Sequence, residues 1–352
     1  MIDLQADIKG NDLLALSPEL LSILLKDHTL STDAKQVNIF WATDNYAHKE
    51  TGYQYNDQIT IEAIIGENGN VIVPRSLKSR EQQKKRSRNM AEIFTPSWVC
   101  NKQNNLVDEC KFERKNVFNT EIDDADTIKE MGLPGNGLHS WIVNPEPIAF
   151  PKGMTWWDYV KDNVLEITCG EAPYLASRYD TVTGEPIALE RRIGILDRKL
   201  RVVNENTTTY DEWMKGAMQA FKSTYGYEWQ GDNLVLARKS LLYTFIDYYR
   251  ARFGADPQLK DLLYVANIVS WNIWQMDGLK GVIPNSCKRT PIPQYTGNLI
   301  EFGNGEQPLT QKFSECPGCK NKNIHAHNGI RCLIMDWEEG KPIEFISLMK
   351  HT

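Results

Sequence analysis

The central part of this sequence predicts a doubly wound α/β fold, on three observations. Between residues 164 and 276 short β-rich runs alternate with helical patterns, the first run closes on a small-residue turn, and the next two each end in an acid. At 352 residues the chain has room for about two domains of roughly 100–200 residues each. Apolar residues make up 41 % of it and there are 23 glycines, so a sizeable core can form; disorder, collagen and simple repeats are excluded. The longest apolar runs, such as residues 20–25, fall well short of the ~20 residues that span a bilayer. The first residues carry charge where an export signal needs an apolar stretch. The expectation is a soluble, cytoplasmic protein with no membrane partner.

Residues 1–75 read as a small α+β module. Ser17-Pro18-Glu19 is a helix start with proline at the first helical position, followed by Leu20, Leu21 and Leu24 at helical spacing. Residues 37–41 and 59–65 read as strands, the second turning at Gly66-Glu67-Asn68-Gly69-Asn70 into a hairpin with residues 71–73. Residues 76–150 hold a basic segment and connecting loops. Arg75, Lys78, Arg80, Lys84, Lys85, Arg86 and Arg88 face the single acid Glu81, a local +6 in a chain of net charge −6. Such a run is a solvated helix face or a phosphate-contacting surface. For the second case Arg80, Lys84, Lys85, Arg86 and Arg88 are the candidate DNA contacts. Residues 110–150 read as a poorly structured connection.

The core is expected over residues 151–282. Residues 164–168 form a β-rich run ending in Cys169-Gly170, residues 224–228 a second, and residues 271–276 a third, with the helical positions Leu234, Ala237, Leu241, Phe245 and Tyr248 between the last two. In such sheets ligands bind at the carboxyl ends of the strands. A glycine turn lets backbone approach a ligand, Glu228 can accept two sugar hydroxyl protons, Asp277 can accept an adenine amino proton, and Trp229 can lie against that adenine. The set suits a nucleoside with a charged tail.

Phe94-Thr95-Pro96, Leu165-Glu166-Ile167-Thr168-Cys169-Gly170, Tyr225-Gly226-Tyr227-Glu228 and Met276-Asp277 together resemble, in order, motifs of the amino-directed DNA methyltransferases of restriction-modification systems, in the subgroup that modifies adenine. Ala172 stands where a second glycine is usual. The resemblance covers roughly residues 85–281, with 181–203 as an insertion. It implies a Rossmann-like fold of the S-adenosylmethionine-dependent type. Thr95, Pro96, Glu166, Cys169 and Gly170 would frame the methionine end of that cofactor, Glu228 would hold the ribose, and Asp277 would read the adenine. The expected partner is DNA. The catalytic Asn/Asp-Pro-Pro-Tyr/Phe segment of the family is missing downstream. The one similar text, Asn144-Pro145, lies upstream and would require a permuted chain. Otherwise the segment sits on a second polypeptide, or the protein is an inactive regulator with the cofactor fold. A second subunit or a homo-oligomer would cover the last strand.

Residues 283–352 carry a cysteine cluster and a hairpin, residues 331–337 and 343–349 turning at Glu338-Glu339-Gly340-Lys341. Seven cysteines, an odd number, read as reduced thiols or metal ligands. Cys316-Pro317-Gly318-Cys319 has zinc-knuckle spacing. The expected structural zinc set is Cys287, Cys316, Cys319 and Cys332, with His327 as substitute. A zinc-containing interaction module on an unrelated core is the alternative reading of the whole chain.

Overall fold

A short helix (α1, Gly10–Leu16) leads into α2 (Pro18–Leu25), which starts as its sequence predicts: Ser17 Oγ accepts the Glu19 N–H at 3.2 Å and Pro18 takes the first helical position. The computed structural model describes residues 10–90, 92–291 and 313–349. It divides into two units, Met1–Gln275 and Met276–Thr352. Positions 75 and 150, where boundaries were expected, lie inside the first. Arg238 shows why the N-terminal segment belongs there. Fully buried, it donates to the carbonyls of Leu24, Lys26, Ser270 and Ile273 at 2.7–3.0 Å.

Residues 37–41 and 59–65 do not form the expected strands or hairpin. Single bridges join Lys26 to Asn38 and Phe40 to Gln58, and Gly66–Asn68 is a 3-10 turn. Ile39, Phe40 and Trp41 are buried as a strand would bury them, but a side chain replaces the ladder. Gln275 accepts the Phe40 N–H at 3.0 Å and donates to the Phe40 carbonyl at 2.9 Å.

The basic run forms helix α3 (Arg80–Met90), and α4 (Ser97–Phe112) starts immediately after Thr95-Pro96. The supposed loop region contains an antiparallel pair, β1 (Asn119–Ile122) and β2 (Ser140–Val143), around a short helix α5 (Ala125–Glu130) capped by Asp124. Within it, Asn119 at the start of β1 is buried and bonds sideways to Asn101 at 2.8 Å.

After α6 (Trp156–Lys161) comes β3 (Val164–Glu166); α7 (Ile195–Asn206) and α8 (Tyr210–Lys222) lead to β4 (Thr224–Glu228), and α9 (Gly231–Phe253) and α10 (Leu259–Asn272) to β5 (Ile273–Gln275). The strands are parallel in the order β3-β4-β5, Glu166 opposite Gly226 and Glu228 opposite Gln275. Alternation and direction are those expected, in a mixed α/β unit. The sheet is three strands wide, smaller than a full doubly wound sheet. Residues 181–203, read as an insertion between two motifs, contribute to the core: Arg192, Asp197 and Arg198 from this stretch are each at most 7 % exposed.

The ring of His28 stacks on Trp271 at 3.9 Å with Nε2 2.8 Å from Ser270 Oγ. Burial and the nearby Arg238 charge push its pKa down to about 2. The unfolded chain therefore binds a proton below about pH 6.5 that the folded one refuses, and stability falls as the pH drops from there toward 2. Denaturant titrations at pH 7 and pH 5 are expected to show this loss, at most ~1.4 kcal/mol per pH unit, and His28→Gln should reduce the difference between the two pH values.

The second unit holds a short antiparallel pair, β6 (Thr290–Pro291) with β7 (Phe313–Ser314), the helix α11 (Pro317–Asn321), and a hairpin of β8 (Leu333–Asp336) and β9 (Lys341–Glu344) at the expected turn. No helix among the described residues is long and apolar enough to cross a membrane.

Candidate functional sites

A cavity of about 670 Å³ opens at the carboxyl ends of β3 and β4. Phe94, Thr95, Glu166, Gly170, Glu228 and Trp229 all line it, so three sequence segments expected to share a site do share one. The turn after β3 is tightly wound. Thr168 at φ +48° and Ala172 at φ +60° adopt the left-handed conformation beside Gly170 at +55°. Strain of this kind gathers at ligand sites.

Glu228 is buried, and its two oxygens accept the Gly170 N–H at 2.9 Å and the Gln230 N–H at 3.0 Å. Burial pushes its carboxyl above the ordinary range, with the two amides opposing. Burial likewise pushes the Glu166 carboxyl well above the ordinary range, opposed by the amides of Tyr174 and Leu175. Glu166 Oε2 has no hydrogen-bond partner. Cys169 also lines the cavity; it is buried, its N–H on the Tyr227 carbonyl at 2.9 Å, and burial drives its thiol up and keeps it neutral. Trp229 is held by its indole N–H on Tyr55 Oη at 2.9 Å.

Other expected members are not among the residues that line this cavity. Pro96 lines a separate cavity of about 400 Å³ with Trp98, His139 and Trp141. Asp277 belongs to the second unit, where its carboxylate accepts the Leu279 N–H at 3.1 Å and pairs with Lys280 at 2.9 Å. Asn144 and Pro145 border a third cavity. The Asn144 amide donates to the Val117 carbonyl at 3.1 Å and accepts from the Glu146 N–H at 3.1 Å, so this side chain closes a turn after β2 and is engaged by the backbone there.

Of the basic residues, Arg80, Lys84, Lys85 and Arg88 are exposed along α3. Arg86 is not: it is 3 % exposed, paired with Glu92 at 2.6 Å and Asp232 at 2.8 Å, and donates to Gln230 and Asn233. It cannot be a phosphate contact, because α3 turns this one position to the core, where two carboxylates neutralise it. Glu92, Glu171 and Asp232 are the acids that sequence reasoning passed over. The adjacency of Glu92 to Phe94-Thr95-Pro96 was the available signal.

In the second unit Cys287, Cys316, Cys319 and His327 bring their ligand atoms within 4.8 Å of one another. His327 Nδ1 stands 3.5 Å from the Cys287 sulfur and 3.6 Å from those of Cys316 and Cys319. Bonds of ~2.3 Å to sulfur and ~2.05 Å to nitrogen at tetrahedral angles give an edge of about 3.6 Å, so the set fits a tetrahedral ion. Gly318 makes room, since a Cβ there would lie 2.5 Å from the His327 ring and backbone. The Asn328 N–H on Cys316 Sγ at 3.3 Å adds support from outside the set. Cys332 is not a member. It is fully buried just before β8, its N–H directed to the Gly281 carbonyl at 3.3 Å, and His327 takes the fourth position in its place.

No protein-family model, no curated protein and no solved structure matches this chain.

Proposed function

We propose that the cavity at the ends of β3 and β4 binds S-adenosylmethionine, and that the chain is an adenine-specific DNA methyltransferase or the cofactor-binding subunit of one. On this reading β3-β4-β5 is part of a Rossmann-like, doubly wound sheet. The observation that carries it is the convergence of Phe94-Thr95, Glu166 to Gly170, and Glu228-Trp229 on one cavity at the carboxyl ends of parallel strands. The donor set fits the cofactor: Glu166 Oε2, buried and without a partner, is an acceptor for an ammonium. Each Glu228 oxygen has one N–H and a further lone pair for a sugar hydroxyl. A bound sulfonium brings its methyl group already activated, and this chain's residues would align it and exclude water.

DNA would meet Arg80, Lys84, Lys85 and Arg88, whose contacts to phosphate are independent of sequence. The base-holding segment would come from a second polypeptide. The second unit supports a further reading, a zinc-containing interaction module, because its sulfur-to-nitrogen distances match a closed, structural zinc site.

Calorimetry tests the cofactor reading: wild type should bind S-adenosylmethionine and Glu228→Ala should bind at least about tenfold more weakly, the loss of hydrogen bonds to a charged group. No binding by the wild type overturns it. Tritium transfer to unmethylated DNA, with and without the product of the adjacent reading frame, then separates enzyme, split enzyme and inactive regulator.

A further inference from the structure

We propose that Glu92 is a ligand-binding residue of the same cavity, its Oε1 accepting a hydrogen bond from a sugar hydroxyl of a nucleoside ligand beside Glu228. The inference rests on reading the cavity as a cofactor site. Glu92 lines the cavity and is 8 % exposed. Its two oxygens differ sharply. Oε2 receives Arg86 Nε at 2.6 Å, Gln230 Nε2 at 3.3 Å and Asn233 Nδ2 at 3.4 Å, whereas Oε1 is buried with no partner. An unsatisfied buried acceptor is unfavourable and rare in folded proteins. A carboxylate whose other oxygen is fixed by three donors cannot turn to relieve it.

The position follows from the same bonds. Gln230 donates its side-chain N–H to Glu92 and its backbone N–H to Glu228, so one residue bridges the two acids, while Glu166 stands at the end of β3. Glu228 already holds two amides, and a vicinal diol offers two donors. Glu92 supplies the second carboxylate for that diol.

The test uses the full chain, S-adenosylhomocysteine, and its 2′-deoxy and 3′-deoxy counterparts. In E92Q the three donors hold the amide oxygen in place of Oε2, which turns the NH2 toward the ligand, donor against donor. E92Q should then bind S-adenosylhomocysteine about tenfold or more weakly. One deoxy analogue should show a similar loss with wild type and little further loss with E92Q, the signature of a direct pair. Binding by E92Q within twofold of wild type, or losses that simply multiply for both analogues, overturns the proposal. If glutamine costs the fold, E92D keeps the charge for Arg86 while drawing back Oε1, and is read in the same way. Wild type that binds neither S-adenosylmethionine nor S-adenosylhomocysteine defeats the cofactor reading itself and this inference with it, a result distinct from an E92Q that binds normally.

Discussion

Arg198→Ala is expected to lower the unfolding free energy by about 3–5 kcal/mol, the cost of leaving a buried charge without its partner. Arg198 is 1 % exposed and uses every arm of its guanidinium: Nη1 pairs with Asp108, Nη2 donates to Asn101 at 3.0 Å and Asn105 at 2.8 Å, and Nε donates to the Ile193 carbonyl at 3.1 Å. Asp108 is equally buried, with Tyr159 Oη as its other donor at 3.0 Å. Removing the arginine leaves that carboxylate without its counter-charge and the Asn105 oxygen without its donor, while Asn101 keeps Asn119 and the Ile193 carbonyl keeps Asn104. The network joins α7 to α4, whose first turn follows the Thr95 that borders the cavity, so the loss should also weaken the S-adenosylmethionine binding proposed above. Lys102→Ala is the contrast. Its pair with Asp123 is exposed and should be worth less than about 1 kcal/mol. Denaturant titration reads both variants. A loss below about 1.5 kcal/mol for Arg198→Ala would show that the pair relaxes into water. Exchanging Arg198 and Asp108 together for methionine and leucine should recover part of the stability, because no buried charge is left unpaired, although Tyr159 Oη and the Asn105 oxygen each lose a partner.

That network also explains what the sequence concealed. The alternation of three strands, their parallel direction, the turn at Gly170 and the Ser17 cap were legible because each follows from neighbours in the chain. Arg86, Arg192, Asp197 and Arg198 were not. In one dimension a buried charge looks like a solvated one, and the partners of Arg198 lie on a helix about 90 residues upstream. Reading Arg86 as a phosphate contact is an error of this kind. Residues 37–41 misled in another way: their apolar pattern correctly marked burial, but nothing local reveals that the Gln275 amide would serve Phe40 in place of a strand. In the metal cluster spacing was informative up to the last ligand. Cys316 and Cys319 stand on one turn and announce themselves, whereas the choice between His327 and Cys332 depends on Gly318 admitting the imidazole.

That choice is the content of the second large effect. Protein purified without chelator is expected to carry about one equivalent of zinc. Cys287→Ser, Cys316→Ser and Cys319→Ser should abolish it, and His327→Ala should weaken it strongly, because each removes a vertex of the tetrahedron. Cys332→Ser should leave the stoichiometry unchanged and cost only packing under the hairpin. Structural zinc sites of this kind bind with about 10–16 kcal/mol, far more than a short helix and two small strand pairs provide alone. Chelation should therefore open residues 276–291 and 313–349 to proteolysis. Its pH dependence follows from the ligands, which must lose protons to bind, so the affinity falls as the solution is acidified. Elemental analysis across the five variants decides the assignment. Zinc kept in His327→Ala and lost in Cys332→Ser would restore the four-cysteine set, and less than about half an equivalent in the wild type would remove the site altogether.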